Sequence, residues 1–236
     1  MRATDFEFRF RFLIIVGILL LGFACSFVDP VGTAGELAGV AQRLGAGVVS
    51  RRILVRAVFF VGGAVVAFGA GLRTWASAYL RADVVHDRAL HAGTLVADGP
   101  YRRLRHPLYL GVWLLAAGIG VAMSRIGTAF VLAAISLYLV RLIRREEAEL
   151  ARTQGEPYAA YRRAVPSFLP AFRPRVAAGG ARPRWAQAVK GELFAWFYAL
   201  ALLAYAFTGE PRWSIGFAVA GFVVNAWEVH GAPRRL

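Results

Sequence analysis

Two residue types are nearly missing from this sequence. Cys25 is the only cysteine, so no internal disulfide can form and cysteine usage says nothing about the redox compartment. Lys190 is the only lysine, which leaves arginine to carry the basic balance of 28 Lys+Arg against 14 Asp+Glu. No serine sits in a Gly-x-Ser-x-Gly turn, and no P-loop or soluble dinucleotide fingerprint is present. Those absences remove the nucleophile-elbow hydrolases and the common nucleotide-binding folds. The net charge of +14 invites a nucleic-acid reading, but no groove-reading motif accompanies it. The arginines lie instead between apolar blocks, a pattern that fits anionic lipid headgroups, so nucleic acid is excluded as a partner and membrane lipids are expected.

What is abundant is apolar sequence, at 58% of the chain, and it comes in blocks. Uncharged runs cover residues 12–28, 57–72, 108–124, 126–140, 193–207 and 213–227. Each core run is shorter than the ~20 residues a bilayer needs, and flanking residues with arginines reaching to the interface supply the rest. The expected fold is therefore an all-α integral membrane protein with about six transmembrane helices. The charged start, the apolar run and Cys25 resemble a leader, but Asp5, Glu7 and bulky Phe23 favour a retained first span. Most of the Lys+Arg fall on one side if both termini share that side, which places the termini and the two long basic loops in the cytoplasm. The expected location is a bacterial inner membrane, crossed several times.

The chain divides into residues 1–72 as N-terminal transmembrane helices, 73–172 as a core, 173–190 as a linker and 191–236 as a C-terminal helix pair. Residues 32–47 are rich in small side chains and read as a non-cytoplasmic loop with a short interfacial helix. His86, Asp87 and His91 have spacings that suggest metal, but no second cluster completes a ligand set, and a solvated loop is the preferred reading. Residues 173–184, with two prolines and Gly179-Gly180, read as flexible. Asn225, Glu228 and His230 mark the end of the last span.

The stretch Gly99-Pro100-Tyr101-Arg102-Arg103-Leu104-Arg105-His106-Pro107-Leu108-Tyr109-Leu110-Gly111 carries the densest chemistry. Pro107 has φ fixed near helical values and no N–H, so it opens a helix with His106 just outside. Residues 108–140 are broken only by Arg125, followed by Gly127, and read as a tight helical hairpin with small residues in its first arm. At ~100° per residue, Glu146 falls inside the sector of Leu139, Leu142, Ile143 and Leu150, with Glu147 on its edge. A carboxylate on the inward face needs a cation or a ligand. Two readings stand: a buried ion pair with Arg105 or Arg103, or a ligand-facing carboxylate. Beyond Gly155, Pro157 restarts a helix with Tyr158 and Tyr161 on one face, and residues 165–170 cannot be helical throughout.

A tight hairpin returns Arg105, His106 and Tyr109 to the height of Glu146 and Glu147, around one cytoplasmic cavity. Carboxylate, imidazole, guanidinium and aromatic faces match the amino-acid end and sulfonium of S-adenosyl-L-methionine. The ordered run from Gly99-Pro100-Tyr101 and Arg105-His106-Pro107-Leu108-Tyr109 through Glu146-Glu147, Gly155, Tyr158, Tyr161 and Val165-Pro166 resembles the isoprenylcysteine carboxyl methyltransferase family. Phospholipid N-methyltransferases share this core. The resemblance covers residues 73–172 and implies an integral-membrane methyltransferase using S-adenosyl-L-methionine, with a lipophilic, prenyl- or lipid-like acceptor. It implies cofactor binding by His106, Pro107, Leu108, Tyr109, Leu114 and Glu146, with Ile119–Ala122 nearby; Arg105 and Glu147 are the candidate catalytic residues. Members acting on a prenylcysteine carboxylate have an arginine one turn before the glutamate. Leu142 stands there, with Arg141 and Arg105 as substitutes. A carboxylate acceptor needs no base, whereas an amine would need Glu147 or His106 as one. Phospholipid N-methylation is the nearest alternative, and a transporter or scaffold is the non-enzymatic one.

Overall fold

The computed structural model describes residues 2–80 and 97–231. His86, Asp87 and His91 lie outside them, as do the side chains of Glu228 and His230. The regular structure of the described residues is helical: α1 (Asp5–Arg9), α2 (Arg11–Ala24), α3 (Thr33–Ala41), α4 (Arg51–Tyr79), α5 (Pro107–Gly120), α6 (Arg125–Gln154), α7 (Glu156–Ala164), α8 (Trp185–Gly191), α9 (Leu193–Thr208) and α10 (Pro211–Gly231). The short helix expected within residues 32–47 is present as α3.

Helices α4 and α6 are long and apolar enough to cross a membrane, and α8 with α9, bent by 58° at Glu192, make a third if taken as one span. At 1.5 Å per residue the 30-residue α6 extends ~45 Å, beyond the ~30 Å hydrocarbon layer. Its last three turns therefore project as a polar extension carrying Glu146 and Glu147. The 14-residue α5 reaches only ~21 Å. Phe60 and Phe68 on α4, Leu137 on α6, Leu200 on α9 and Phe222 on α10 are all exposed. So much apolar surface has no place in water, and the chain is an integral membrane protein.

Glycine sets the helix spacing. A methyl added at Gly118 of α5 would lie 2.5 Å from the Gly62 carbonyl of α4, and one at Gly69 would lie 3.1 Å from the Gly111 carbonyl. On the other side of the bundle, a methyl at Gly127 would strike the Gly22 carbonyl of α2. With backbones this close, dispersion between helices replaces the hydrophobic drive that lipid cannot supply. Val66, Ala70, Leu115, Val131, Ile135, Leu139, Leu142 and Leu202 fill the core between them.

The segment read as a flexible linker is instead pinned. Asp98 accepts hydrogen bonds from Gly179 N–H (2.8 Å) and Ala181 N–H (2.9 Å), and Arg184 N–H donates to the Ala78 carbonyl (2.8 Å). Residues 185–190 belong to α8. Proline and glycine prevent helix in residues 173–184, but a buried carboxylate supplies the partners that helix bonds would have given. Glu192, at the bend, is 1% exposed and accepts from Arg73 Nε (2.7 Å) and Ser77 Oγ (2.7 Å), tying the C-terminal helices to α4.

Candidate functional site

The site lies where the N-terminus of α5 meets the extension of α6. Gly99–Arg102 form a single 3₁₀ turn, entered through Gly99 at φ 57°, where a side chain would run into the Tyr79 ring. Leu104 and Pro107 are buried on either side, and α5 starts at Pro107 with His106 as the cap residue. The expected helix start is met at the residue.

Two guanidinium groups and an imidazole converge on Glu147. Arg105 donates from Nε (3.0 Å) and Nη2 (2.7 Å), His106 Nε2 lies 3.1 Å away, and Arg162 of α7 approaches to 3.6 Å. The second nitrogen of His106, Nδ1, is 4.0 Å from Glu146. The imidazole thus stands between two adjacent carboxylates, one closed in and one with 30% of its side chain exposed. The Tyr109 ring lies 5.8 Å from that of His106, with its hydroxyl in reach of Glu146.

The wheel put Glu146 deepest, and the structure reverses the pair: Glu147 is the buried one, at 9% exposure. The buried face of α6 runs through Leu139 and Ile143 and continues one turn on to Glu147, because α7 and the following loop fold over that edge. The ion-pair reading therefore holds, but for Glu147 with Arg105. Glu146 is the carboxylate of the pair that stays partly exposed.

Arg105 is engaged at Nε and at both terminal nitrogens. Its Nη1 donates to the Arg162 and Val165 carbonyls, both at 2.7 Å, and its own N–H donates to the Pro166 carbonyl at 2.9 Å. It is the peg on which the end of α7 and the non-helical residues 165–170 hang. Arg141 is also engaged, by both Glu7 oxygens at 2.8 and 2.9 Å. Leu142 is fully buried. Neither substitute for the missing arginine has its guanidinium free for an acceptor.

Tyr158 and Tyr161 are buried together, with ring centroids 6.2 Å apart. Tyr161 donates to the Tyr101 carbonyl at 2.8 Å. The Tyr158 hydroxyl, buried next to Glu147 and Arg105, has no hydrogen-bond partner among the described residues. Burial pushes both phenols above their ordinary value, most directly by desolvating the anion.

His106, Pro107, Tyr109, Glu146, Glu147 and Arg105 are brought together, with Leu108 beside them in the first turn of α5. Leu114 is not among them: it lies farther along α5 against Gly69 of α4. Ile119–Ala122 fall at the opposite end of α5, next to the hairpin turn. Arg162 and the Val165 carbonyl escaped the sequence reading, and no spacing rule would have found them. Among the described residues no three His, Cys, Asp or Glu side chains cluster as a metal site would require.

Residues 57–156 match the family model of the phospholipid methyltransferases. The chain is 40% identical over 78 residues to the cobalt-zinc-cadmium resistance protein CzcN of Cupriavidus metallidurans, covering 33% of this chain and 36% of that protein. It is 34% identical over 77 residues to the protein-S-isoprenylcysteine O-methyltransferase of Schizosaccharomyces pombe, covering 32% and 33% respectively. The matched part is thus about a third of each of these relatives. No solved structure matches. The resemblance to the membrane methyltransferases, first seen in the Arg105–Tyr109 and Glu146-Glu147 runs, is borne out by the family model and by the yeast relative.

Proposed function

We propose that this protein is an S-adenosyl-L-methionine-dependent methyltransferase of the membrane, acting on a carboxylate of a lipophilic acceptor. The observation that carries the reading is the asymmetric glutamate pair around His106, with Glu147 neutralised and Glu146 left facing outward. An outward carboxylate, an imidazole and the Tyr109 ring are the groups that would hold a cation bearing an amino-acid end. The unpartnered Tyr158 hydroxyl supports the fit, since a buried donor without an acceptor is costly until a ligand meets it. When bound, S-adenosyl-L-methionine supplies an electrophilic methyl group. His106, Tyr109 and Glu146 would bind it, and Pro107 and Leu108 would shape the wall.

Glu147 bears on the acceptor. A carboxylate held by Arg105, His106 and Arg162 is a poor proton acceptor, so it would not deprotonate an amine. An acceptor already ionised at neutral pH requires no base. Arg105 and Glu147 then act by positioning rather than by touching the acceptor. The engagement of Arg105 and Arg141 favours the second reading, phospholipid N-methylation, because a carboxylate acceptor lacks its expected cation. In either reading α2, α4, α5, α6, α9 and α10 form six membrane-embedded helices, with the termini and the site cytoplasmic.

Isothermal titration of the detergent-purified protein with S-adenosylhomocysteine tests the cofactor. Binding weakened about tenfold or more in Glu146→Ala and His106→Ala is expected, and affinity unchanged in both variants would sink the assignment. Labelled cofactor incubated with total membrane extract tests the acceptor. Base-labile label in the lipid phase indicates a methyl ester, and base-stable label indicates N-methylation.

A further inference from the structure

A cavity of about 330 Å³ opens beside the Gly99–Arg102 turn and shares no lining residue with the glutamate site. Trp75 and Tyr79 at the end of α4 form one wall, Arg102 and Arg103 the second, and Pro174 and Ala178 of the pinned segment the third. The one acid in its lining, Asp98, accepts from the Gly179 and Ala181 N–H groups, and against the two arginines it leaves the lining net positive. Arg102 gives Nε–H to the Val176 carbonyl (3.0 Å), and Arg103 gives an Nη1 hydrogen to the Phe172 carbonyl. A guanidinium has five N–H donors, so each arginine is held in place by one bond and keeps a fork for a ligand.

Two adjacent forks fixed by main-chain carbonyls match the oxygens of a phosphate, which arginine binds bidentately. Trp75 and Tyr79 are amphipathic rings of the kind that settle at headgroup depth, at the end of a spanning helix. The cavity is at the small end of the range for ligand sites: room for a headgroup, too little for an acyl chain. We propose that it binds a phosphate ester, and that the bound anion clamps residues 172–181 against the end of α4. The phosphate can come from the headgroup of an anionic lipid or from a soluble phosphate, and the two sources are separable by experiment.

Native mass spectrometry of the full chain in detergent, with phosphatidylglycerol, diacylglycerol or inorganic phosphate added, is the test. Phosphatidylglycerol should be retained about tenfold more than diacylglycerol, which lacks the phosphate, and the excess should vanish in Arg102→Gln/Arg103→Gln. The double lysine variant, which keeps both charges but not the forks, should recover only part of it. Displacement of the lipid by millimolar inorganic phosphate identifies free phosphate as a sufficient ligand, and resistance to displacement identifies the lipid headgroup. Equal retention of the two lipids by the unaltered protein overturns the proposal. So does an excess that survives the glutamine pair.

Discussion

The two ends of the α5–α6 hairpin are built on opposite plans. At the turn end, main-chain groups find partners close at hand: Thr33 N–H donates to the Met123 carbonyl (2.9 Å) and Arg125 N–H to the Val31 carbonyl (3.0 Å). Ser124 caps α6 through the Gly127 N–H, Thr128 bonds the Gly120 carbonyl, and Asp29 accepts from Ile126 N–H. At the other end the bonds run between charged or ionisable side chains, Arg105 and His106 to Glu147, and Arg141 to Glu7. The turn end is a joint with its polar groups answered. The polar end keeps an outward carboxylate and a phenol with no described partner, and that residue of unmet bonding capacity distinguishes a receptacle from a joint.

The largest effect expected from breaking this contrast is at Glu147. Glu147→Ala leaves Arg105 and His106 facing each other with side chains only 10% and 5% exposed, and should cost about 3 kcal/mol of stability. Melting in detergent followed by tryptophan fluorescence measures it. Asp29→Ala at the turn end should cost less, because Arg125 is half exposed and turns to water; equal losses would erase the distinction. Gly118→Val comes next, at about 2 kcal/mol, since the new side chain meets the Gly62 backbone rather than a movable group. The same melts read it out.

Tyr158→Phe should leave the melting temperature unchanged or slightly raised, because it deletes a buried hydroxyl that lacks a partner. It should nonetheless weaken S-adenosylhomocysteine binding a few-fold. A clear loss of stability with unaltered binding would reassign the hydroxyl to the fold. The smallest effect concerns pH. Hydrogen bonding from Arg141 holds the Glu7 carboxyl at about 2, below its ordinary 4.5. A depressed carboxylate stabilises the folded state above its unfolded value and loses that contribution as pH falls toward the folded one. Residues 3–10 should therefore loosen between pH 4.5 and 2, seen as faster hydrogen exchange there, and Glu7→Gln should abolish the dependence.

Much of this was legible because local rules govern it. Pro107 announces the helix start, Gly155 the end of α6, and Pro157 with the Tyr158–Tyr161 spacing the short helix that follows. Periodicity brought both glutamates to the correct sector but ranked them in the wrong order. The order depends on which edge α7 covers, and a single-helix wheel contains no second helix. Leu114 and Ile119–Ala122 are placed at the site by resemblance, and the rise along the 14-residue α5 carries Leu114 and Ile119 away from His106, with Val121 and Ala122 just past its end. Nothing in the spacing announced that Asp98 would seize residues 179–181, since that bond joins positions 81 and 83 residues apart.

The bond between Arg73 and Glu192 also has a consequence in time. The two residues are 119 positions apart, and Arg73 lies within the matched segment while Glu192 lies beyond it. Chains emerge from the ribosome N-terminus first, at ~5–20 residues per second. The hairpin and both halves of the glutamate site are thus synthesised several seconds before the carboxylate that neutralises Arg73. Throughout that interval α4 carries an unanswered cation at its end, waiting for the last two helices. Completion of the core is in this way tied to the arrival of the C-terminal pair, and a chain cut short before residue 192 would carry the site without its final fastening.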